Sequence, residues 1–346
     1  MLITNVSLRP PRAEIAADIA EAIEATDATA TGQVVFATLV DDPANVLDIV
    51  DAYSGEIMLE AASAVDTPDA AVPAILAADV VETATAAEAP DATVGVVPWT
   101  PADLGSALRA WYKFNTLTGS NGDPQGAVTD ASGNGFNLTQ TGTARPTLAV
   151  AEQNSLNTLR FDPSVAVKYY QLNDAIFSGL TAGSAYIVYK IVSDAGNNGL
   201  MDWGADSQQS HWPYSDGVIY IDFGSTVRKT VGNPSVTQTT YRIISVYSAA
   251  SDWAFYIDGG AGGSSGGTSP FYSTATNTVG WATSPASAAI GASKVLNGLN
   301  GSIAEVVFTN GKQSTTDRQK MEGYLAHKWG LTGNLSASHP YKTTAP

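Results

Sequence analysis

From residue 99 onward, short apolar runs alternate with clusters of Gly, Asn, Asp and Ser. The runs are LRAWYKF, NTLRF, AYIVYKIV, GVIYIDF, YRIISVY, WAFYID and SIAEVVF. They are rich in β-branched and aromatic residues, and little helical periodicity separates them. That spacing predicts a mainly β domain, a sandwich or barrel of antiparallel strands. In SIAEVVF, strict alternation puts Ile303, Glu305 and Val307 on one face and Ala304, Val306 and Phe308 on the other, so both faces are covered. The period then changes. Ser314 is placed to cap a helix with Asp317 three residues on. Met321, Tyr324, Leu325 and Lys328/Trp329 form its buried stripe, and Gly330 supplies a left-handed stop. One C-terminal helix is therefore expected, with Trp329 in the core. His327 falls off the stripe, as a surface residue would. His339, before Pro340-Tyr341, is expected to fix the tail.

The first 98 residues read differently. Ile15, Ile19 and Ile23 mark a helix over Arg12 to Ala25. QVVFATLV (33–40) reads as a strand, and Asp42-Pro43 as the start of a short helix carrying Val46, Leu47, Val50 and Tyr53, ended by Gly55. Ile57 to Leu59 returns as a strand. EAASAVDTPDAAV (60–72) then aligns with ETATAAEAPDATV (82–94), a 22-residue internal repeat. Units that small bury no core of their own, so 1–98 is expected to be a mixed α/β attachment module docked on copies of itself or on a larger assembly.

Charge sharpens this division. The net charge is −16, from 17 Lys+Arg and 33 Asp+Glu. Residues 1–98 contain only two bases, Arg9 and Arg12, and no tryptophan. The acidity argues against a nucleic-acid partner. No apolar stretch is long enough for membrane insertion, and the N-terminus lacks the pattern of an export signal. With no cysteine, disulfides and thiolate metal sites are excluded. Three scattered histidines argue against zinc.

WTPADLGSALRAWYKF (99–114), DASGNGFNLTQTGTARPTL (130–148) and LRFD (159–162) resemble the opening of a concanavalin A-like, laminin G-like jelly roll. NGSIAEVVFTNGKQSTTDRQKMEGYLAHKWGL (300–331) with SASHPY (336–341) is similar to the closing strand, helix and tail of that group. The resemblance implies an antiparallel jelly-roll sandwich over 99–346, of the kind found in bacteriophage virion proteins. It implies a place on the virion surface after assembly in the host cytoplasm, with 1–98 contacting other virion subunits. It also implies homo-oligomers, trimers foremost, and host-surface polysaccharide as a partner. Laminin G-like domains often hold calcium at a sandwich rim, and Asp202, Asp206, Asp216 and Asp222 are the nearest ligands here. No other cofactor is expected.

Many relatives of this fold are glycoside hydrolases. Their laminarinase-type members carry E-x-D-x-x-E on one strand face, placing two carboxylates near the sugar. This chain lacks that motif; Glu152, Glu305 and Glu322 stand in unrelated contexts. The expectation is a protein that is not an enzyme. The glycine-rich stretch at 259–270 lacks the Lys-Ser/Thr of a phosphate loop and reads as a hairpin tip.

The richest chemistry lies in DWGADSQQSHWPYSDG (202–217) and the strand after it. Sugar sites need flat aromatic faces beside Asp, Asn and backbone groups. The candidate glycan-binding set is Trp203, His211, Trp212, Tyr214, Tyr220 and Asp222. Packing of these aromatics in a core is the competing account. Asp216-Gly217 reads as a hairpin turn. Ile219, Ile221 and Phe223 then share a core face, with Val218, Tyr220 and Asp222 opposite. The expected function is a virion adhesin. The alternatives are a decoration protein without ligand and a glycan depolymerase.

Overall fold

The computed structural model describes residues 98–260, 268–282, 288–294 and 297–346, together with four short strands nearer the N-terminus. Contacts divide the chain into Met1–Val96 and Val97–Pro346. In the first unit, Leu39–Asp42 pairs with Asn45–Leu47, and Ala52–Tyr53 with Glu56–Ile57, as two antiparallel hairpins. The helix expected after Pro43 is therefore replaced by strands. Val40 lies opposite Val46 and Leu39 opposite Leu47. The β-branched Val40 and Val46 on either side of Asp42-Pro43 favour strands over a helix. The Arg12–Ala25 helix, most of the 33–40 strand, the 22-residue repeat and the tip at 261–267 lie outside the described residues.

The second unit is mainly β with antiparallel sheets and one C-terminal helix. Its strands include β1 (Leu108–Lys113), β2 (Thr147–Gln153), β3 (Leu156–Phe161), β4 (Ala182–Ile191), β5 (Met201–Asp202), β6 (Ile219–Ile221), β7 (Lys229–Gly232), β8 (Arg242–Ala249), β9 (Asp252–Ile257), β10 (Tyr272–Thr274), β11 (Ala289–Ile290), β12 (Ala292–Ser293) and β13 (Gly301–Asn310). An eight-stranded sheet runs β10-β9-β8-β4-β13-β3-β2, and β1 shares an edge of β13 with β3. Helix α1 (Thr315–Trp329) covers one face of this sheet. Short pieces cover the other: β5 and β11 with Tyr170–Gln171, the β6–β7 pair, and β12 with Asn297–Gly298.

Alternation places the side chains. Ala185, Ile187 and Tyr189 of β4, Ile244 and Val246 of β8, and Trp253, Phe255 and Ile257 of β9 point into the inner core. Tyr186, Val188 and Ile243 point to the helix side. Strand β13 departs from strict alternation. Val188 pairs with Glu305 but Tyr189 pairs with Ile303, so Ala304 is the extra residue of a bulge. Ile303 consequently joins Val306 and Phe308 in the inner core, while Ala304 and Val307 face the helix. The expectation that Ile303 and Val307 share a face is corrected by this one inserted residue.

Glu305 is fully buried at that bulge. Its Oε1 accepts from the Trp111 indole at 2.6 Å and the Tyr324 hydroxyl at 3.0 Å. Its Oε2 accepts from the Trp329 indole and from the Lys328 ammonium, both at 2.7 Å. Helix and sheet are thus joined through one carboxylate with four donors. The helix begins as its residues require, with Ser314 Oγ accepting from the Asp317 N–H at 3.0 Å, and ends at Gly330 with φ +67°. Glu322 is buried too. It takes both bonds from Arg318, one from Ser245 and one from His339 at 3.2 Å, so His339 does hold the tail. His327 is half-buried and reaches the Tyr341 carbonyl at 3.0 Å.

Replacing Glu305 by Leu strands two indoles, a hydroxyl and a half-buried ammonium. The expected loss of unfolding free energy is about 3–5 kcal/mol, read by urea denaturation. A loss below about 1 kcal/mol would remove Glu305 from this structural role.

Candidate functional site

The segment 211–220 folds as the hairpin its Asp-Gly pair predicts. His211 and Tyr220 exchange backbone hydrogen bonds of 2.7 and 2.9 Å. Gly217 adopts φ +82°, and the Asp216 carboxylate accepts from the Val218 N–H at 2.9 Å. That backbone bond, first, and the Tyr220 hydroxyl hold Asp216 below the usual carboxylate range.

The structure separates the six predicted glycan-binding residues. Trp203 and Trp212 are fully buried. Trp203 packs against Phe177 and Phe308, with ring centroids 4.6 and 5.1 Å away, and Trp212 against Tyr189 and Phe255. Both lie in the inner core, so neither offers a face to a ligand. They belong there because the strands on either side turn alternate residues inward, as with Ile219, Ile221 and Phe223. Asp222 is also wholly buried. What stays at the surface is Tyr214, with Tyr220 half-buried beside it and His211 buried against both. His211 lies 4.7 Å from Tyr214, and Tyr220 lies 6.2 Å from each. The Arg228 guanidinium sits 5.0 Å from the Tyr220 ring centre. Burial, then the Arg228 charge, lower the His211 pKa.

The four aspartates named for calcium do not converge. Asp216 stays on its turn. Asp206 accepts the Gln208 and Arg228 N–H groups at 2.6 and 3.0 Å. Asp202 and Asp222 do meet, in the interior, but the Lys294 ammonium lies 3.6 and 4.0 Å from them. A lysine already supplies the positive charge a cation would bring, so these residues do not fit a calcium ion. Among the described residues no group of three or more His, Asp or Glu is placed to hold a metal. None of the described helices is long and apolar enough to cross a membrane.

A different feature has the shape of a binding site. A groove of about 620 Å³ is lined by Asp174, Ser178, Leu180, Asn277, Thr278 and Trp281, among others. Trp281 is half-buried, and its ring stacks on Phe177 at 4.4 Å and 10°. Its indole N–H donates to the Leu180 carbonyl at 2.8 Å. Two glycines admit the ring. A Cβ on Gly224, whose φ is +58°, would lie 2.4 Å from it, and one on Gly183 3.0 Å. The groove thus pairs a fixed aromatic ring with a carboxylate and hydroxyls, while the Asn277 amide is turned inward to Ser248 and Ala249. Sequence reasoning passed over Trp281 because NTVGWATSPAS shows neither strand nor helix periodicity. The available signal was a lone tryptophan after glycine in a Ser/Thr-rich stretch.

No family model and no curated protein matches the chain. Solved structures do. An α-L-arabinofuranosidase of family GH54, soaked with a cyclic sulfate inhibitor, matches at 15% identity and TM-score 0.44, over 69% of this chain and 66% of that one. Domain 4 of an extracellular GH43 arabinanase from Geobacillus stearothermophilus, in complex with arabinotriose, matches at 13% identity and TM-score 0.42, over 60% of this chain and 95% of that one. A Trypanosoma rangeli sialidase in complex with sialic acid matches at 10% identity and TM-score 0.36, over 63% of this chain and 33% of that one. The chain therefore spans about two thirds of the arabinofuranosidase and a third of the sialidase. Arabinofuranosidases and sialidases among the matches overturn the expectation of a chain that is not an enzyme. That expectation rested on a missing E-x-D-x-x-E motif, which excludes only one arrangement of carboxylates.

The placement of the rings has a direct test in stability. Trp203→Ala and Trp212→Ala are each expected to cost about 3–5 kcal/mol of unfolding free energy. Tyr214→Ala, at the exposed hairpin, is expected to stay within about 0.5 kcal/mol of the parent. Chemical denaturation of the three variants reads both.

Proposed function

We propose that the β domain binds carbohydrate and that the Trp281 groove receives a sugar residue. The groove carries this reading. Sugars present an apolar C–H face and a rim of hydroxyls, and binding them takes an aromatic plane beside a few polar groups. Trp281 supplies the plane, held from behind by Phe177. Asp174, Thr278 and Ser178 supply the polar rim. The exposed ring of Tyr214 and the half-buried ring of Tyr220 are a second surface for the same kind of ligand.

In its finer form, the proposal is a bacteriophage virion adhesin. Residues 1–98 attach the chain to the particle as part of a homo-oligomer, and the β domain meets host-surface polysaccharide. The resemblance of the opening and closing segments supports this reading, as does the acidic, aromatic-poor composition of 1–98.

Titration of the full chain against a panel of bacterial surface polysaccharides tests the binding. Trp281→Ala is expected to weaken affinity about tenfold, equivalent to about 1.4 kcal/mol, with the fold checked by circular dichroism. Unchanged affinity would remove the groove from the reading. The same mixtures, assayed for released reducing sugar, distinguish binding from hydrolysis. For the virion role, deletion of 1–98 is expected to leave particles lacking the protein, read by immunoblot of purified particles.

A further inference from the structure

Behind the hairpin, two acids and a lysine meet in the interior. Asp202 ends β5, and Asp222 directly follows β6. Their side chains are entirely shielded from solvent. The Ser293 hydroxyl donates to Asp202 Oδ2 at 2.7 Å, and the Ser210 hydroxyl to Asp222 Oδ1 at 3.0 Å. Asp202 Oδ1 and Asp222 Oδ2 find no N–H or hydroxyl donor among the described residues. Lys294 follows Ser293 with φ +47°, and its Nζ lies 3.6 Å from Asp202 Oδ2 and 4.0 Å from Asp222 Oδ2. It also donates to the Asp206 carbonyl at 2.8 Å. Its side chain is 16% exposed, so the cluster touches water only along the lysine.

We propose that Lys294 and Asp202 form an intramolecular isopeptide bond, with Asp222 as the proton relay.

Burial raises the pKa of both acids, and for Asp222 the neighbouring Asp202 raises it further, so the pair retains a proton. The reaction begins when one proton moves from the ammonium to the remaining carboxylate, which leaves three neutral groups. The Nζ lone pair then attacks Asp202 Cγ. Asp222 protonates the Asp202 oxygen and takes a proton from the attacking nitrogen. The C–OH bond breaks, one water leaves, and an Nζ–Cγ amide carrying one hydrogen remains. Asp222 ends as it began, a neutral acid. No oxidant or other reactant enters. A chain without cysteine thereby gains a covalent link between β5 and the turn after β12.

Denaturing mass spectrometry of the purified, folded full chain tests this. The expected mass is one water below the sequence mass. A protease digest should contain a branched peptide joining Lys294 to Asp202. Lys294→Arg keeps the positive charge and should restore the full mass. Asp222→Ala should lower the linked fraction while leaving Asp202 and Lys294 in place. The parent chain at its full sequence mass, with a native circular dichroism spectrum, would overturn the proposal. So would a link to Asp222, or to any residue other than Asp202.

Discussion

The outer layer of the β domain is organised around the buried carboxylate of Glu305. A lone ionised acid in an apolar interior is strongly unfavourable, and it survives only when its lone pairs are filled. Here both oxygens are filled twice, from the sheet by Trp111 and from the helix by Tyr324, Lys328 and Trp329. Those donors come from distant parts of the chain, so the bonds form only when β13, β1 and α1 are packed together. Alternation with Val307 aims the carboxylate at the helix, and the bulge at Ala304 sends Ile303 to the inner core instead of the helix side. One extra residue thus sets the two faces of the central strand.

Other buried acids follow the same rule. Glu322 is bound by Arg318, Ser245 and His339, which ties the tail to the helix. Asp258 accepts from the Ile243 N–H and from Arg242, both at 2.9 Å, yet burial still pushes its pKa up to about 6. Asp202 and Asp222 are the exception. They face one another, and each has an oxygen without a donor among the described residues. A fold that satisfies its other buried carboxylates with two to four donors leaves this pair facing a lysine.

Much of the architecture was legible because it depends on local rules. The C-terminal helix, its Ser314 cap and its Gly330 stop follow from spacing alone. The β-type runs follow from composition, and the 211–220 hairpin from Asp216-Gly217. Three things were not legible. A bulge is an insertion relative to a partner strand, and SIAEVVF contains nothing that marks Ala304 as the extra residue. Trp203 and Trp212 stand in a segment whose Asp, Ser, Gln and Pro residues suggest an exposed loop. That segment lies over the inner face of the sheet, so its tryptophans fill the core while Tyr214 stays outside. The groove depends on 174–181 meeting 277–282, a contact between segments that share no local pattern.

The groove and the acid pair meet at one glycine. Gly204 forms a β-bridge with Trp281 on one side, and a Cβ on Gly204 would lie 2.4 Å from the Asp222 Cγ on the other. No side chain fits between them, so the strand that seats Trp281 rests directly on the buried carboxyls. A binding surface loses affinity when it must be ordered at the moment of binding. Behind Trp281, Phe177 stacks on the ring, the Leu180 carbonyl holds the indole N–H, and the Asp202–Asp222–Lys294 cluster fixes the strand that pairs with it. The ring is thereby constrained from three directions before any ligand arrives. Fixing the cluster covalently would extend that constraint from the ring to the strand beneath it.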